Sequence, residues 1–192
     1  RDSGGAIHCA GIHDSAIVNC VLNENHAFAT GGGLSTINVS TIVLNSILWG
    51  NRSDHGPFQE EQISDPFDVA SIAYSCVEAA PADLGHQIIV ANPMMIDAAG
   101  ADHEAGTLDD DCGLLDGSPC IDAGLSVELE LDLAGNDRTV DDPLTPNTGA
   151  GIGAPIDLGA HEFGAGPLCR ADVDGDGDVD FEDLTAVLAA WG

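Results

Sequence analysis

Seven carboxylates crowd into the twelve positions from Asp172 to Asp183, and no basic residue lies among them. Counting from Asp172, acidic residues occupy positions 1, 3, 5, 7, 9, 11 and 12, and Gly177 occupies position 6. This spacing matches the calcium-loop pattern D-x-[DN]-x-[DN]-G-x5-E, with Asp183 in place of the final glutamate. A hard dication takes about six to eight oxygen ligands, and glycine at position 6 permits the sharp turn that brings them together. The spacing therefore predicts a calcium (Ca2+) site.

The predicted metal ligands are the carboxylates of Asp172, Asp174, Asp176, Asp178 and Asp183. Behind them, apolar residues recur at the i, i+3, i+4, i+7 spacing of an amphipathic helix, at Leu184, Val187, Leu188 and Trp191. The stretch before the loop, "HEFGAGPLCRA", contains glycines and a proline and has no helical period. Unlike a full EF-hand, the tail is therefore expected to be a calcium loop with an exit helix alone.

A calcium loop with only an exit helix resembles the repeat unit of type I dockerins, the calcium-dependent docking modules of secreted bacterial polysaccharide-degrading systems. The resemblance covers roughly residues 170–192, and it implies calcium binding in a segment used for anchoring or docking. Dockerins carry two such segments, whereas this chain has one. At loop positions 10 and 11, where dockerins often present small hydroxyl residues to a cohesin partner, this chain has Phe181 and Glu182. The resemblance therefore does not extend to cohesin binding.

The net charge of −29, from 33 acidic residues against four arginines and no lysine, restricts the partners of the chain. Such a surface repels phosphate groups, so neither nucleic acid nor an anionic membrane is expected to bind. No run approaches the roughly 20 apolar residues of a membrane span, and no signal peptide is visible. Because the chain opens at Arg1 within a repeating pattern, we expect it to belong to a longer extracellular or cell-surface protein.

An internal repeat with a period of 26–27 residues dominates the first part of the chain. The stretch "GGAIHCAGIHDSAIVNCVLNEN" is followed by "GGGLSTINVSTIVLNSILWGN", and a looser third copy appears in "ASIAYSCVEAA". Each copy is a short β-branched run ended by Gly, Asn or Asp. A unit this small cannot bury its own apolar face, so the copies must stack. The pattern predicts an all-β chain folded as a parallel β-helix.

Stacking predicts polar ladders at two repeated positions. One joins Asn19, Asn45 and Ser75, and the other joins Asn25 and Asn51 at a turn. The alignment also places Ser46 between Cys20 and Cys76. In this alignment Cys20 and Cys76 lie two coils apart, roughly 9–10 Å at β spacing. That separation is too large for a disulfide. Cys112 and Cys120 are near enough in sequence to close a small loop.

Beyond "GHQIIVANPMMIDAAG" the pattern changes to the turn-rich segments "LLDGSPCIDAG", "DLAGNDRTVD" and "IDLGAHEF". In this order, and with "LNSILWGN" and "YSCVEAA" before them, they resemble secreted bacterial right-handed β-helix proteins of the pectin-lyase-like fold, over residues 3–164. The resemblance implies a right-handed parallel β-helix (a solenoid) at 1–164 whose open end the last segments close. Residues 165–192 then form the linker and the single dockerin-like calcium segment.

Polysaccharide lyases and glycoside hydrolases share this architecture, so an enzyme is the alternative. Lyase chemistry needs a base beside cations, and the four arginines are scattered. Hydrolysis needs two carboxylates on one face, whereas Asp109–Asp111 and Asp141–Asp142 lie in turns, where Asp commonly bonds the backbone. We therefore expect no catalytic residue, and a body that presents a face to carbohydrate or to a cell-surface protein. In the alternative, the active site of a lyase or hydrolase lies upstream of Arg1.

Overall fold

The computed structural model describes residues 3–11, 13–55, 62–66, 70–80, 83–153 and 155–165. Their strands are β1 (Ile7–Ala10), β2 (Ser15–Val18), β3 (Val21–Asn23), β4 (His26–Ala27), β5 (Leu34–Ile37), β6 (Thr41–Leu44), β7 (Ile47–Trp49), β8 (Arg52–Ser53), β9 (Ile63–Ser64), β10 (Ala70–Val77), β11 (His86–Ile89), β12 (Met95–Asp97) and β13 (Asp111–Leu114). The described ranges contain no helix, and hence none long and apolar enough to cross a membrane. The predicted all-β class is confirmed. The predicted exit helix lies outside these ranges.

Strands that lie one repeat apart in the sequence pair in parallel. One sheet has the order β1-β5-β9, another the order β2-β6-β10-β7-β3 with β11 beside β10, and a third joins β4 and β8. Ile17 faces Val43, and Val21 faces Ile47. Both pairs are offset by 26 positions, as the repeat predicts. Hereafter β1–β11 are called the coils.

The third copy pairs one residue away from the predicted alignment. The prediction placed Cys76 beside Ser46, but Cys76 faces Ile47, and Ile72 faces Val43. A slip of one residue turns every side chain to the opposite face of a strand. The observed register buries Ile72, which is 4% exposed, in the same apolar cluster as Val43. The alignment was wrong because "ASIAYSCV" places small residues on both faces.

Two apolar clusters form the core. The first fills the interior of the coils and consists of Ile17, Leu22, Leu34, Val43, Leu48, Ile63, Ile72 and Val77. The second consists of Ile47, Cys76, Leu114, Cys120, Ile121, Ala123 and Leu158. Ile47 and Leu48 are neighbours on one strand, so their side chains point to opposite faces of the sheet. The second cluster therefore lies outside the coils, between them and residues 111–153 and 155–163, hereafter the terminal segments.

The terminal segments run along the flank of the coils. The N–H of Gly159 donates to the carbonyl of Asn45 at 2.8 Å. Gly159 has a φ of +95°, and a Cβ there would lie 2.9 Å from Ile47 Cδ1. Only glycine fits a position that is both left-handed and this close. These segments contact equivalent outward positions of successive coils, at Val21, Ile47 and Cys76. That they also close the open end of the stack stays a prediction.

The ladder predicted at the turn is confirmed. The backbone N and the Nδ2 of Asn25 both donate to Asn51 Oδ1, each at 3.0 Å. Asn51 is fully buried, and its Nδ2 donates to the carbonyl of Leu22 at 2.8 Å and to Gln62 Oε1 at 2.6 Å. Each hydrogen-bonding atom of this buried amide is therefore used to hold one coil to the next.

Candidate ligand cleft

A cleft of about 500 Å³ opens where the terminal segments meet the first coil. Residues 18–21, which form the bend between β2 and β3, line one side of it. The terminal segments line the other side with Leu129, Leu131 and Leu133, which are 45%, 45% and 76% exposed. Such clustered, exposed apolar side chains around polar groups are typical of a binding surface.

Asn19 and Asn45 occupy equivalent bends of consecutive coils, and each has a φ of 50°. Asparagine tolerates this left-handed backbone better than most residues, which accounts for the residue type at both bends. Asn45 Nδ2 donates to the carbonyl of Leu125, and the N–H of Leu125 donates to Asn45 Oδ1, both at 2.8 Å. Asn19 lines the cleft, and its buried Oδ1 and Nδ2 have no hydrogen-bond partner. An equivalent amide is thus satisfied in one coil and unsatisfied in the other.

The predicted side-chain ladder through Asn19, Asn45 and Ser75 does not form. Hydroxyl groups connect the coils instead, because the N–H of Cys20 donates to Ser46 Oγ and the N–H of Ser46 donates to Ser75 Oγ, each at 3.2 Å. The prediction was wrong because the asparagines serve the bend of the backbone. The recurrence of asparagine directly after equivalent strands, at Asn19 and Asn45, could have predicted a left-handed bend.

A buried guanidinium also lines the cleft. Arg138 is 1% exposed, and its Nη2 donates to the carbonyl of Gly159. Its Nη1 lies 3.9 Å from Glu162 Oε2, and neither Nη1 nor Nε has a hydrogen-bond partner. Burial lowers the pKa of Arg138, while the charges of Glu162, Asp132 and Asp157 oppose this shift. The group stays protonated at physiological pH, as arginine does in proteins generally.

The buried carboxylates near the guanidinium accept backbone amides. Asp157 accepts from the N–H of Asp122 at 2.8 Å and from that of Phe163 at 2.5 Å. Glu162 accepts from the N–H of Val140 at 3.3 Å and from that of Asp157 at 3.1 Å. Burial raises the pKa of Asp157 to about 6, and burial with the charge of Asp157 raises the pKa of Glu162 to about 9. These acids hold the terminal segments together.

Asp132 is a carboxylate at the edge of the cleft. Its Oδ1 accepts from the N–H of Asn136 at 2.8 Å, and its Oδ2 from the N–H of Glu162 at 3.2 Å. Burial raises the pKa of Asp132, but the hydrogen bonds to these two residues and the His161 charge outweigh burial and lower it. A general acid for glycoside hydrolysis requires the opposite shift. The pKa of Asp132 is thus shifted away from that of such an acid.

The acidic clusters that the sequence placed in turns behave as predicted. Asp109 Oδ2 accepts from two backbone N–H groups, at 2.8 and 3.2 Å. Asp110 Oδ2 accepts from those of residues 106 and 107, at 2.6 and 3.2 Å. Asp142 Oδ2 accepts from the hydroxyl of Thr145 at 2.6 Å. These carboxylates stabilise the turns in which they lie.

The predicted calcium ligands, Asp172, Asp174, Asp176, Asp178 and Asp183, lie outside the described residues. Within the described ranges, no group of three or more His, Cys, Asp or Glu side chains could hold a metal ion.

A second cavity, of about 540 Å³, lies between β11 and the terminal segments and is lined by residues such as Ile88, Ile121 and Leu144. None of the unpartnered buried side chains found in the described ranges lines this second cavity. The cleft at Asn19 is thus the better candidate site.

No family model matches the chain, and no curated protein and no solved structure matches it either. The function is therefore inferred from the cleft itself.

Proposed function

We propose that the chain is an extracellular, right-handed parallel β-helix protein whose cleft binds an extended peptide of a partner protein. The solenoid is supported by three parallel sheets in which the first two copies of the repeat are offset by 26 or 27 positions, as at Ile17 and Val43. Right-handedness is supported by the strong preference of parallel crossover connections for that hand. In the same proposal, the C-terminal calcium loop anchors or docks the chain.

The unsatisfied amide of Asn19 is the observation that carries the binding proposal. Its equivalent, Asn45, holds the N–H and the carbonyl of one residue, Leu125, with two hydrogen bonds. A residue in an extended peptide presents its N–H and carbonyl to the same side, so a partner strand can bond Asn19 in the same way. An unpaired buried amide costs about 1–3 kcal/mol, and binding would recover this cost.

The walls of the cleft favour a peptide over a sugar. Leu129, Leu131 and Leu133 offer exposed apolar surface to apolar side chains of a partner. Among the described residues, no Phe, Tyr or Trp, on which a sugar ring commonly stacks, lines the cleft. Because Asn19 Oδ1 and Nδ2 have no exposed surface, binding in this way requires side chains around the cleft to move. The net charge of −29 favours a peptide in which lysine or arginine flanks the apolar residues.

The test measures binding of a labelled short peptide of alternating leucine and lysine by fluorescence anisotropy at physiological salt. Asn19→Gly removes the amide yet tolerates the left-handed backbone. Asn38→Gly is the matched control, because Asn38 has a φ of 54° and is exposed outside the cleft. We expect Asn19→Gly to weaken binding about tenfold, equivalent to about 1.4 kcal/mol, and Asn38→Gly to bind as the unaltered chain does.

Equal binding by both variants would overturn the peptide proposal, because attraction by net charge alone would then explain the affinity. A control peptide with serine in place of leucine measures the affinity that net charge alone provides. Binding of neutral oligosaccharides with loss in Asn19→Gly would reassign the cleft to carbohydrate. Cleavage of pectin, alginate or neutral glycans by the chain would favour the alternative of a polysaccharide lyase or glycoside hydrolase.

The calcium proposal is tested separately by titration calorimetry of the full chain. We expect one site that vanishes in Asp172→Ala and in Asp176→Ala, because each removes a predicted ligand. Glu182→Gln is the control, since position 11 of the loop is not among the predicted ligands. Calcium binding that survives both alanine substitutions would contradict the assignment.

A further inference from the structure

Two cysteines from distant parts of the chain meet in the core between the coils and the terminal segments. Cys76 and Cys120 are both fully buried and belong to the same apolar cluster. Interaction with the Cys120 side chain raises the pKa of the Cys76 thiol, and the Cys76 thiol donates to the carbonyl of Ala91 at 3.3 Å. Both are free thiols in this structure. Positions 76 and 120 are 44 residues apart, so this contact is tertiary.

The two cysteines belong to different regions of the molecule, the coils and the terminal segments. Cys76 lies on β10 and pairs with Ile47 on one side and Ile89 on the other. Cys120 lies in the terminal segments, where its carbonyl accepts from the N–H of Leu158 at 3.0 Å. A covalent bond between them would fasten the terminal segments to the flank of the coils.

We propose that Cys76 and Cys120 form a disulfide in the mature protein and that this bond locks the terminal segments onto the coils. The two side chains already pack in the same buried cluster and interact with each other, as a disulfide between them requires. The other described cysteines are only part-buried and lie outside the second cluster, at Cys9, Cys20 and Cys112. The bond closes a long loop, which restricts the unfolded chain most. It does not depend on a ligand in the cleft.

Formation of the bond takes one external disulfide, such as oxidised glutathione, by thiol–disulfide exchange. The Cys120 thiolate attacks a glutathione sulfur, which forms a mixed disulfide and releases one glutathione thiolate. The Cys76 thiolate then attacks the Cys120 sulfur, closing the protein disulfide and releasing the second glutathione. Two electrons pass from the protein thiols to the glutathione disulfide, and the two thiol protons pass to the released glutathiones.

Exchange must precede packing of the terminal segments. The hydrogen bond with Cys120 and burial hold the pKa of the Cys76 thiol well above its usual range. The thiolate is the attacking species, and neither cysteine is exposed in the folded chain. Folded, reduced protein is therefore expected to oxidise far more slowly than protein that refolds in the presence of oxidised glutathione.

The test is to refold the full chain with reduced and oxidised glutathione and to map its disulfides without reduction. A protease that cleaves after acidic residues separates the two cysteines, because Glu78, Asp83 and Asp116 lie between them. We expect one linked peptide pair containing Cys76 and Cys120, lighter than the sum of the thiol peptides by two hydrogen atoms. The proposal is overturned if both cysteines are alkylated in denaturant without reductant. It is also overturned if either cysteine pairs with another one.

A second measurement follows the thermal midpoint with and without reductant. Reduction should lower the midpoint of the oxidised chain and of Cys112→Ala, the matched control at a part-buried cysteine. The double variant Cys76→Ala/Cys120→Ala should show no shift on reduction. A persisting shift in the double variant would assign the effect to another pair. If that variant does not fold, the peptide map of the unaltered chain decides alone.

Discussion

The coils and the terminal segments differ in how their buried backbone amides are hydrogen-bonded. In the coils, strands one repeat apart pair in parallel. At the turns, buried side chains such as Asn51 bond backbone groups that the strands leave unpaired. The terminal segments contribute only β13 to a sheet, together with two isolated bridges. Their amides bond to buried carboxylates, those of Asp132, Asp157 and Glu162. Repetition makes the coils self-sufficient, whereas the terminal segments depend on buried acidic side chains.

The largest expected effect comes from removing the cation of the terminal segments. Arg138→Met leaves the buried carboxylates of Asp132 and Asp157 without their counter-charge. Loss of one partner of a buried ion pair typically costs about 3–5 kcal/mol. Hydrogen exchange should show lost protection in the terminal segments while the coils stay protected.

The control for this change is an ion pair in the coils. Arg52 Nη1 lies 2.8 Å from Glu78 Oε2, and the arginine side chain is 49% exposed. Arg52→Met should cost only about 0–1 kcal/mol, because solvent screens an exposed pair. Similar losses in the two variants would mean that the two regions do not differ in their dependence on charge.

The next effect tests the apolar contact that joins the regions. Ile47 is fully buried between the coils and the terminal segments. Ile47→Ala should lower the free energy of unfolding by about 3 kcal/mol, because it removes a buried side chain and leaves a cavity. Denaturant titration measures the loss. Ile42→Ala, at a 49% exposed position on the preceding strand, should change stability far less.

The pH dependence of stability should have opposite signs in the two regions. The folded pKa of Asp157, about 6, lies above its ordinary 3.8, so the folded state binds more protons between these values. The contribution of Asp157 to terminal-segment stability is thus fully present below about pH 4 and is lost as pH rises through 6. A shift of this size corresponds to roughly 2–3 kcal/mol. The raised pKa of Glu162 extends the loss toward pH 9.

In the coils, the hydrogen bond from Arg52 lowers the pKa of Glu78 below 4.5. Its contribution is present above pH 4.5 and is lost as pH falls through the lower folded value. Hydrogen exchange at pH values from 4 to 9, corrected for intrinsic rates, resolves the two regions. If protection in both regions rises or falls together as the pH changes, the assignment of the two pH effects to Asp157 and Glu78 is contradicted.

The smallest effect concerns the ladder of the coils. Asn51→Ala removes the buried amide that bonds Asn25, Leu22 and Gln62. We expect a loss of about 1–2 kcal/mol, because the partners remain unsatisfied, with reduced protection in the coils first. Asn23→Ala is the control, since its Nδ2 makes a single long bond of 3.4 Å, to the carbonyl of Ala98. A larger loss in Asn23→Ala would refute the ladder.

By itself, the sequence determined the features that repeat or act locally. The 26-residue offset predicted the all-β class, and the structure pairs Ile17 with Val43 at that offset. The Asn25–Asn51 ladder and the turn role of Asp109 and Asp110 were also predictable, whereas Asp111 begins β13. These features depend on strand alternation and on hydrogen bonds between close or equivalent residues, which a sequence pattern encodes directly.

The tertiary structure alone decided where the non-repeating residues go. No local pattern places Arg138 beside Asn19, brings Cys120 to Cys76, or lays Gly159 against Ile47. These contacts join residues between 44 and 119 positions apart in the sequence. They exist because the outward face of the coils is apolar and must be covered, and a repeat does not specify which distant segment covers it.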